Sequence, residues 1–191
     1  MNTFRSKFFS SFFKKSGVSV TSGKLSPIIR NDNSTIPFVK GKTVLFTGGS
    51  GVQATASALE LAKLGAEKII LASRDVTKAE MMAEGLGEML DKWIGEQEQQ
   101  AKELSVDHEL LNLSGVDRHL KPTQFDVQYL DLANFDTIWD FCAKISKHEK
   151  ALHLLVNNAG TIATPQRMIT VDGNELTFQT NYLGHYLLTV R

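Results

Sequence analysis

The sequence predicts an α/β fold built on a doubly wound parallel sheet, and three observations carry that expectation. From Lys42 onward, short apolar runs of strand length alternate with longer stretches of helical period. A Gly-rich turn joins the first strand to the first helix. Polar residues cluster just past the later strands, at the carboxyl ends where open α/β sheets bind their ligands.

The elements follow in order. Thr43 to Thr47 (TVLFT) is a short apolar strand that runs into the glycine turn, and the helix after it ends at Gly65, a residue suited to a helix C-terminus. Lys68 to Ala72 (KIILA) is the second strand. Phe125 to Leu130 is the third, with Phe125, Val127 and Tyr129 on one face and Asp126 and Gln128 on the other, an alternation that suits an edge strand. Phe135, Ile138, Trp139, Cys142 and Ile145 recur at helical spacing, which places Cys142 in the core and not at a reacting centre. Leu152 to Val156 is the fourth strand, and Asn174 to Arg191 reads as a closing helix. The order βαβαβαβα implies parallel strands with right-handed crossovers. A strand order 3-2-1-4 leaves the fourth strand as an open apolar edge, an aggregation hazard unless something covers it.

One crossover is too long for this plan. About fifty residues separate the second and third strands, where a whole βαβ unit needs roughly 30. Met82, Leu86, Met89, Leu90 and Trp93 fall at helical spacing, so the crossover helix continues and an inserted polar lobe follows, the insertion spanning residues 85–121. It reads either as an extended helix with a solvated loop or as a partner surface.

Composition bounds the rest. The chain has 191 residues, 42% hydrophobic and 22% charged, which suits one domain with an appended segment. No apolar run approaches the ~18 residues that cross a bilayer. The single cysteine offers neither an internal disulfide nor a metal cluster. The formal net charge of zero hides an asymmetry: residues 1–31 carry six basic side chains and no acid, leaving fifteen basic against twenty-one acidic residues in the remainder. A mildly acidic body argues against a nucleic-acid partner. Residues 1–40 form a separate N-terminal segment. In a helix, Phe4, Phe8, Phe9, Phe12 and Phe13 would share a face opposite Lys7 and Lys14. That pattern fits an organelle-targeting presequence, mitochondrial by its basic acid-free character, or a peripheral membrane anchor; a disordered tail on a cytoplasmic protein is the plainer reading.

The junction after the first strand reads Thr47-Gly48-Gly49-Ser50-Gly51-Val52-Gln53-Ala54. A Gly-rich turn between strand and helix lets backbone N–H groups and the helix dipole face a pyrophosphate with no side chain in the way. Gly48, Ser50, Gly51 and Val52 are the candidates, Gly51 for close backbone approach and Ala54 for helix-on-strand packing; a plain tight turn is the alternative. Ser73-Arg74-Asp75 follows the second strand, at the edge where an adenosine ribose would lie. An acid there favours a ribose 2′-OH and an arginine a 2′-phosphate; Ser73 and Arg74 come first, which favours NADP(H) over NAD(H). Asp75 also suits a helix start. Asp131-Leu132 follows the third strand and Asn157-Asn158-Ala159-Gly160 the fourth, while the last helix carries Phe178-Gln179-Thr180-Asn181-Tyr182-Leu183-Gly184. His148-Glu149-Lys150-Ala151-Leu152-His153 is one residue too long for a metalloprotease HExxH, and no metal is expected.

Taken together, the glycine turn, Arg74, Asp131-Leu132, NNAG at 157–160 and FxxNxLG at 178–184 stand in the order of the short-chain dehydrogenase/reductase family, and the chain from about residue 41 to 191 resembles its retinol dehydrogenase-like and WW-domain oxidoreductase-like members. The resemblance implies a Rossmann-type sheet, about four strands of the family's seven, with 41–191 forming part of a dinucleotide-binding domain. It implies that Asp131 lies near the adenine, that Asn158, Ala159 and Gly160 line the cofactor, that Asn157 ties the central sheet together, and that Asn181 belongs to an Asn-Ser-Tyr-Lys catalytic set. Two departures stand out. The turn is TGxxGxxA in place of the usual TGxxxGxG, with Gln53 near the last glycine. No YxxxK occurs: four residues after Tyr129, Tyr182 and Tyr186 stand Ala133, Tyr186 and Val190. Carbonyl reduction needs a proton donor of matched pKa at the developing alkoxide. The expectation is therefore the N-terminal, cofactor-binding part of an NADP(H)-dependent oxidoreductase, inactive alone, whose whole form acts on a carbonyl/alcohol pair of a small lipophilic substrate. The alternative is a truncated, non-catalytic dinucleotide-binding or interaction module, pairing with itself through the unfinished sheet.

Overall fold

The computed structural model describes residues 38–103, 122–162 and 165–191. The N-terminal segment through residue 37, and with it the expectation of a targeting or anchoring helix, lies outside the described residues, as does 104–121, the far part of the insertion. Four parallel strands form one sheet in the order β3-β2-β1-β4: β1 (Thr43–Thr47), β2 (Lys68–Ser73), β3 (Gln124–Tyr129) and β4 (Leu154–Val156). Val44 of β1 pairs with Ile69 of β2 on one side and Leu154 of β4 on the other, and Ile69 pairs onward with Phe125. This is the α/β, Rossmann-like arrangement that the sequence predicts.

Side-chain alternation sorts the strands onto two cores. Val44, Phe46, Ile69 and Leu71 point to one face, where α1 (Val52–Lys63) and α2 (Val76–Glu103) cover them. Leu45, Ile70 and Ala72 point to the other, against Ile138 and Phe141 of α3 (Phe135–His148) and Leu188 near the chain's end. The period read in the crossover helix is real: Met82, Leu86 and Leu90 are buried, and Met89 and Trp93 pack beside them. The helix runs 28 residues, so the insertion is helical at least through Glu103.

Helix α1 closes as expected at Gly65, whose φ of +87° is a backbone state that side chains disfavour. Its N–H donates to Ala62 O and the next N–H, of Ala66, to Leu61 O, a Schellman closure. Cys142 packs against the second core, and burial pushes its thiol up despite the opposing charge of Arg191. It is a packing residue.

Four expectations need correction. β4 begins at Leu154, so His153 precedes the strand; its Nδ1 accepts from Thr43 N and its N–H donates to Thr43 O. Trp139 lies on the outer side of α3, 41% exposed, under the Arg191 guanidinium 3.8 Å from its ring centroid. Tyr129 is also exposed, at the far end of the edge strand, while Phe125 and Val127 pack inward. The closing helix starts at Leu176 and not Asn174, because Glu175 caps it: its carboxylate accepts from Thr177 N and Phe178 N. Those two N–H groups hold the Glu175 carboxyl below its ordinary range. The segment runs through α4 (Leu176–Phe178), a π-helical turn (Gln179–Leu183) and α5 (Gly184–Val190).

Candidate dinucleotide site

The carboxyl ends of the strands open into a cleft of about 380 Å³. Most of the candidates named from the sequence meet there: Gly48, Ser50 and Gly51 from the turn after β1, Ser73 and Arg74 after β2, Asp131 and Leu132 after β3, and Asn158, Ala159 and Gly160 after β4. Val52 does not line it; it is the first residue of α1. Asn181 stands behind the rim: its Oδ1 accepts from Thr161 N at 2.8 Å and its Nδ2 donates to Thr161 O at 2.9 Å, so it holds a residue that lines the cleft.

The turn works somewhat differently from its reading in the sequence. Gly51 is the N-cap of α1 with φ −86°, a backbone state that any residue adopts, although an added Cβ would sit 3.1 Å from Gly48 O, and its N–H closes onto Gly48 O. The tight positions are its neighbours. A Cβ on Gly48, whose φ is +68°, would sit 2.9 Å from Ala159 Cα, and one on Gly49 would sit 2.6 Å from Leu71 Cβ. Glycine is thus required where the turn presses on the β4 loop and on β2. With no side chain at the N-cap, the first turn of α1 offers its N–H groups and positive dipole end to the cleft, the arrangement that receives a phosphate.

At the edge of the cleft beyond β2, buried Ser73 donates from Oγ to Ser50 Oγ and accepts from Asp75 N, tying the first two strand ends together. Asp75 Oδ1 accepts from Lys78 N, so this carboxylate caps α2. Lys78, in the first turn of α2, lines the cleft together with Arg74, which precedes that helix. The sequence did not mark Lys78. Asp131 caps its own turn, Oδ1 accepting from Ala133 N, while its backbone is locked to Thr137 Oγ1.

Thr47 is the hub that the sequence did not mark. Fully buried, it receives Asn158 N and Ala159 N on Oγ1, both at 2.9 Å, and Asn158 Nδ2 on its carbonyl at 3.0 Å. Asn158, not Asn157, therefore ties the β4 loop to the central strand; exposed Asn157 donates instead to Thr189 Oγ1. Deeper in the rim, buried Gln179 accepts on Oε1 from Thr170 Oγ1 and Asn174 Nδ2 and donates to Asp172, pinning the 170–174 turn under the closing helix.

No family model matches the chain. Curated relatives do. Human retinol dehydrogenase 13 is 35% identical over 157 residues, 82% of this chain and 37% of that protein. Human retinol dehydrogenase 14 is 38% identical over 149 residues, 78% of this chain and 39% of that protein. Among solved structures, a metagenomic short-chain oxidoreductase in complex with NADP superposes with a TM-score of 0.54 at 20% identity, covering 80% of this chain and 55% of its own. The chain belongs to the short-chain dehydrogenases/reductases. Within them it is retinol dehydrogenase-like, and it spans under two fifths of the length of those two relatives.

Proposed function

We propose that this chain binds NADP(H) as the cofactor-binding part of a short-chain oxidoreductase, whose whole form interconverts a carbonyl and an alcohol on a small lipophilic substrate. The observation that carries the cofactor reading is the disposition of charge at the cleft's adenosine side. Arg74 and Lys78 line it, and the neighbouring acid, Asp75, spends its carboxylate on the cap of α2. A 2′-phosphate would meet the basic side chains of Arg74 and Lys78 at this edge, while Oδ1 of Asp75 is engaged with Lys78 N. The pyrophosphate would lie over Gly48–Gly51 at the start of α1, and the backbone of 158–160 would face the ring-bearing half. When bound, the dinucleotide supplies a hydride. The protein's part is to hold it still and to keep Asn181 on Thr161 beside it.

The NADP held by the metagenomic neighbour is consistent with this reading, and the lipophilic substrate is inferred from the names of the curated relatives. Delivery to a mitochondrion or to a membrane surface would come from the basic, acid-free N-terminus; no helix among the described residues is long and apolar enough to cross a membrane. The chain's own expected behaviour is binding without turnover, since none of its three tyrosines precedes a lysine by four residues.

Titration of the chain with NADPH and NADH, followed by nucleotide fluorescence, tests this. NADPH should bind more tightly, and Arg74→Ala should cost it ~10-fold, the loss of one charged hydrogen bond, while leaving NADH nearly unchanged. Gly51→Asp should abolish both by placing a carboxylate beside the pyrophosphate. NADPH binding that survives Gly51→Asp, or that never exceeds NADH binding, overturns the assignment.

A further inference from the structure

We propose that His185 is a positioning residue for the cleft: a neutral imidazole, protonated on Nδ1 alone, that couples the cofactor-facing backbone at 158–159 to Asn181. The inference rests on the dinucleotide reading above. His185 is buried in α5 and touches the hub and the rim together, with Nε2 2.9 Å from Thr47 Oγ1 and Nδ1 3.2 Å from Asn181 O.

Hydrogen-bond accounting fixes the tautomer. A backbone carbonyl only accepts, so the nitrogen facing Asn181 O must carry the proton. A neutral ring then has Nε2 as acceptor, and Thr47 must donate to it. The hydroxyl can do so because its lone pairs receive Asn158 N, which is shared with Val156 O, and Ala159 N. The competing acceptor for its single proton, Val156 O, is farther away at 3.4 Å. The opposite tautomer would ask Thr47 Oγ1 to accept three bonds and set a ring lone pair against a carbonyl lone pair.

The π-helical turn at Gln179–Leu183 coincides with this contact, since its wider backbone spacing disturbs the ordinary helical pattern at Asn181. The result is one chain of bonds behind the loop that follows β4: backbone of 158–159, Thr47 hydroxyl, imidazole, Asn181 carbonyl. Its first link orients the amides that would face the cofactor. Its last link fixes the backbone of the residue whose side chain holds Thr161.

Two substitutions split the ring in half. His185→Gln can still place an acceptor near Thr47, and His185→Asn can still place a donor near Asn181. With the full chain and NADPH as probe, His185→Phe and His185→Asn should each weaken binding ~10-fold, and His185→Gln should restore it to within ~3-fold of the parent. Thr47→Val should weaken binding at least as much as His185→Phe, and adding His185→Phe to it should cost nothing further, because both break one link. In the unsubstituted protein, nitrogen NMR of the ring should show a proton on Nδ1 and none on Nε2, a readout that needs no variant to fold. An Nε2–H ring, equal loss with Gln and Phe, or additive losses in the double variant overturns the proposal. If the parent chain binds no dinucleotide, the functional reading fails and the cofactor half of this proposal with it, while the ring spectrum still decides the coupling.

Discussion

β1 and β4 are neighbours in the sheet, yet all five residues of β1 are buried, while the three of β4 are only half-buried. The wing around β1 and β2 is held by apolar packing: Phe46, Ile69, Leu71, Leu86 and their neighbours form a core with α1 and α2 on top. The wing around β4 and the closing helix joins the cores through Leu154, Leu155, Val156 and Leu188 and adds side-chain hydrogen bonds, through Thr47 to Asn158, Asn181 to Thr161 and Gln179 to the 170–174 turn. Its outer face leaves Phe178 and Tyr182 stacked on each other and exposed, with ring centroids 5.4 Å apart. Non-directional burial dominates the first wing, and directional bonds carry a larger share of the second. Stability should therefore reside in the first and adjustable geometry in the second.

Substitutions on the two wings put that contrast at risk. Phe46→Ala should cost the most, ~3–5 kcal/mol of unfolding free energy by urea titration, because it empties a site that is 1% exposed. Gly49→Ala should follow at about 3 kcal/mol, since the added methyl meets the backbone of Leu71 and not a movable side-chain tip. Gln179→Leu should cost ~1–2 kcal/mol globally while raising amide exchange at 170–174, where its partners are released. If Gln179→Leu unfolds the protein as readily as Phe46→Ala, the wings do not differ as described.

The smallest effect concerns acid. Glu175 is more acidic folded than unfolded, because Thr177 N and Phe178 N bond its carboxylate. Its contribution is present above the ordinary carboxylate range and is lost as pH falls through its lowered value. Glu175→Gln should therefore flatten the acid limb of the stability profile slightly and leave neutral behaviour nearly unchanged; an unaltered limb would show that the cap carries no such linkage. Lys68 is the basic counterpart: burial pulls it down, but its bond to Glu149 and the nearby Asp126 outweigh that and hold it above its usual value.

What could be read in advance follows the same division. β1, β2 and the buried stripe of α2 announced themselves because burial writes a period into the sequence. Trp139 and Tyr129 misled because an apolar side chain at the right spacing need not be covered: Arg191 lies over the first, and the second stands at the exposed end of β3. The candidate site was legible as motifs just past strands, and the cleft gathers ten of the eleven candidates for cofactor contact. Lys78 was not marked, because Arg74 lies before α2 and only the folded edge beyond β2 brings the two together. Nor were Thr47, Gly49 and His185, since their importance lies in contacts of Thr47 with Ala159 and His185 and of Gly49 with Leu71, which become adjacent only when the sheet and its flanking helix assemble.

By itself the sequence determined the alternation of strand and helix, the parallel sheet and the glycine-rich turn between β1 and α1, because apolar periodicity and glycine placement are local properties. Only the tertiary structure decided which glycines the turn cannot lose, which asparagine braces the β4 loop and which histidine joins Thr47 to Asn181. Hydrogen bonds and steric contacts between residues more than a hundred positions apart, such as Thr47 with Asn158 and His185, leave no period in the chain.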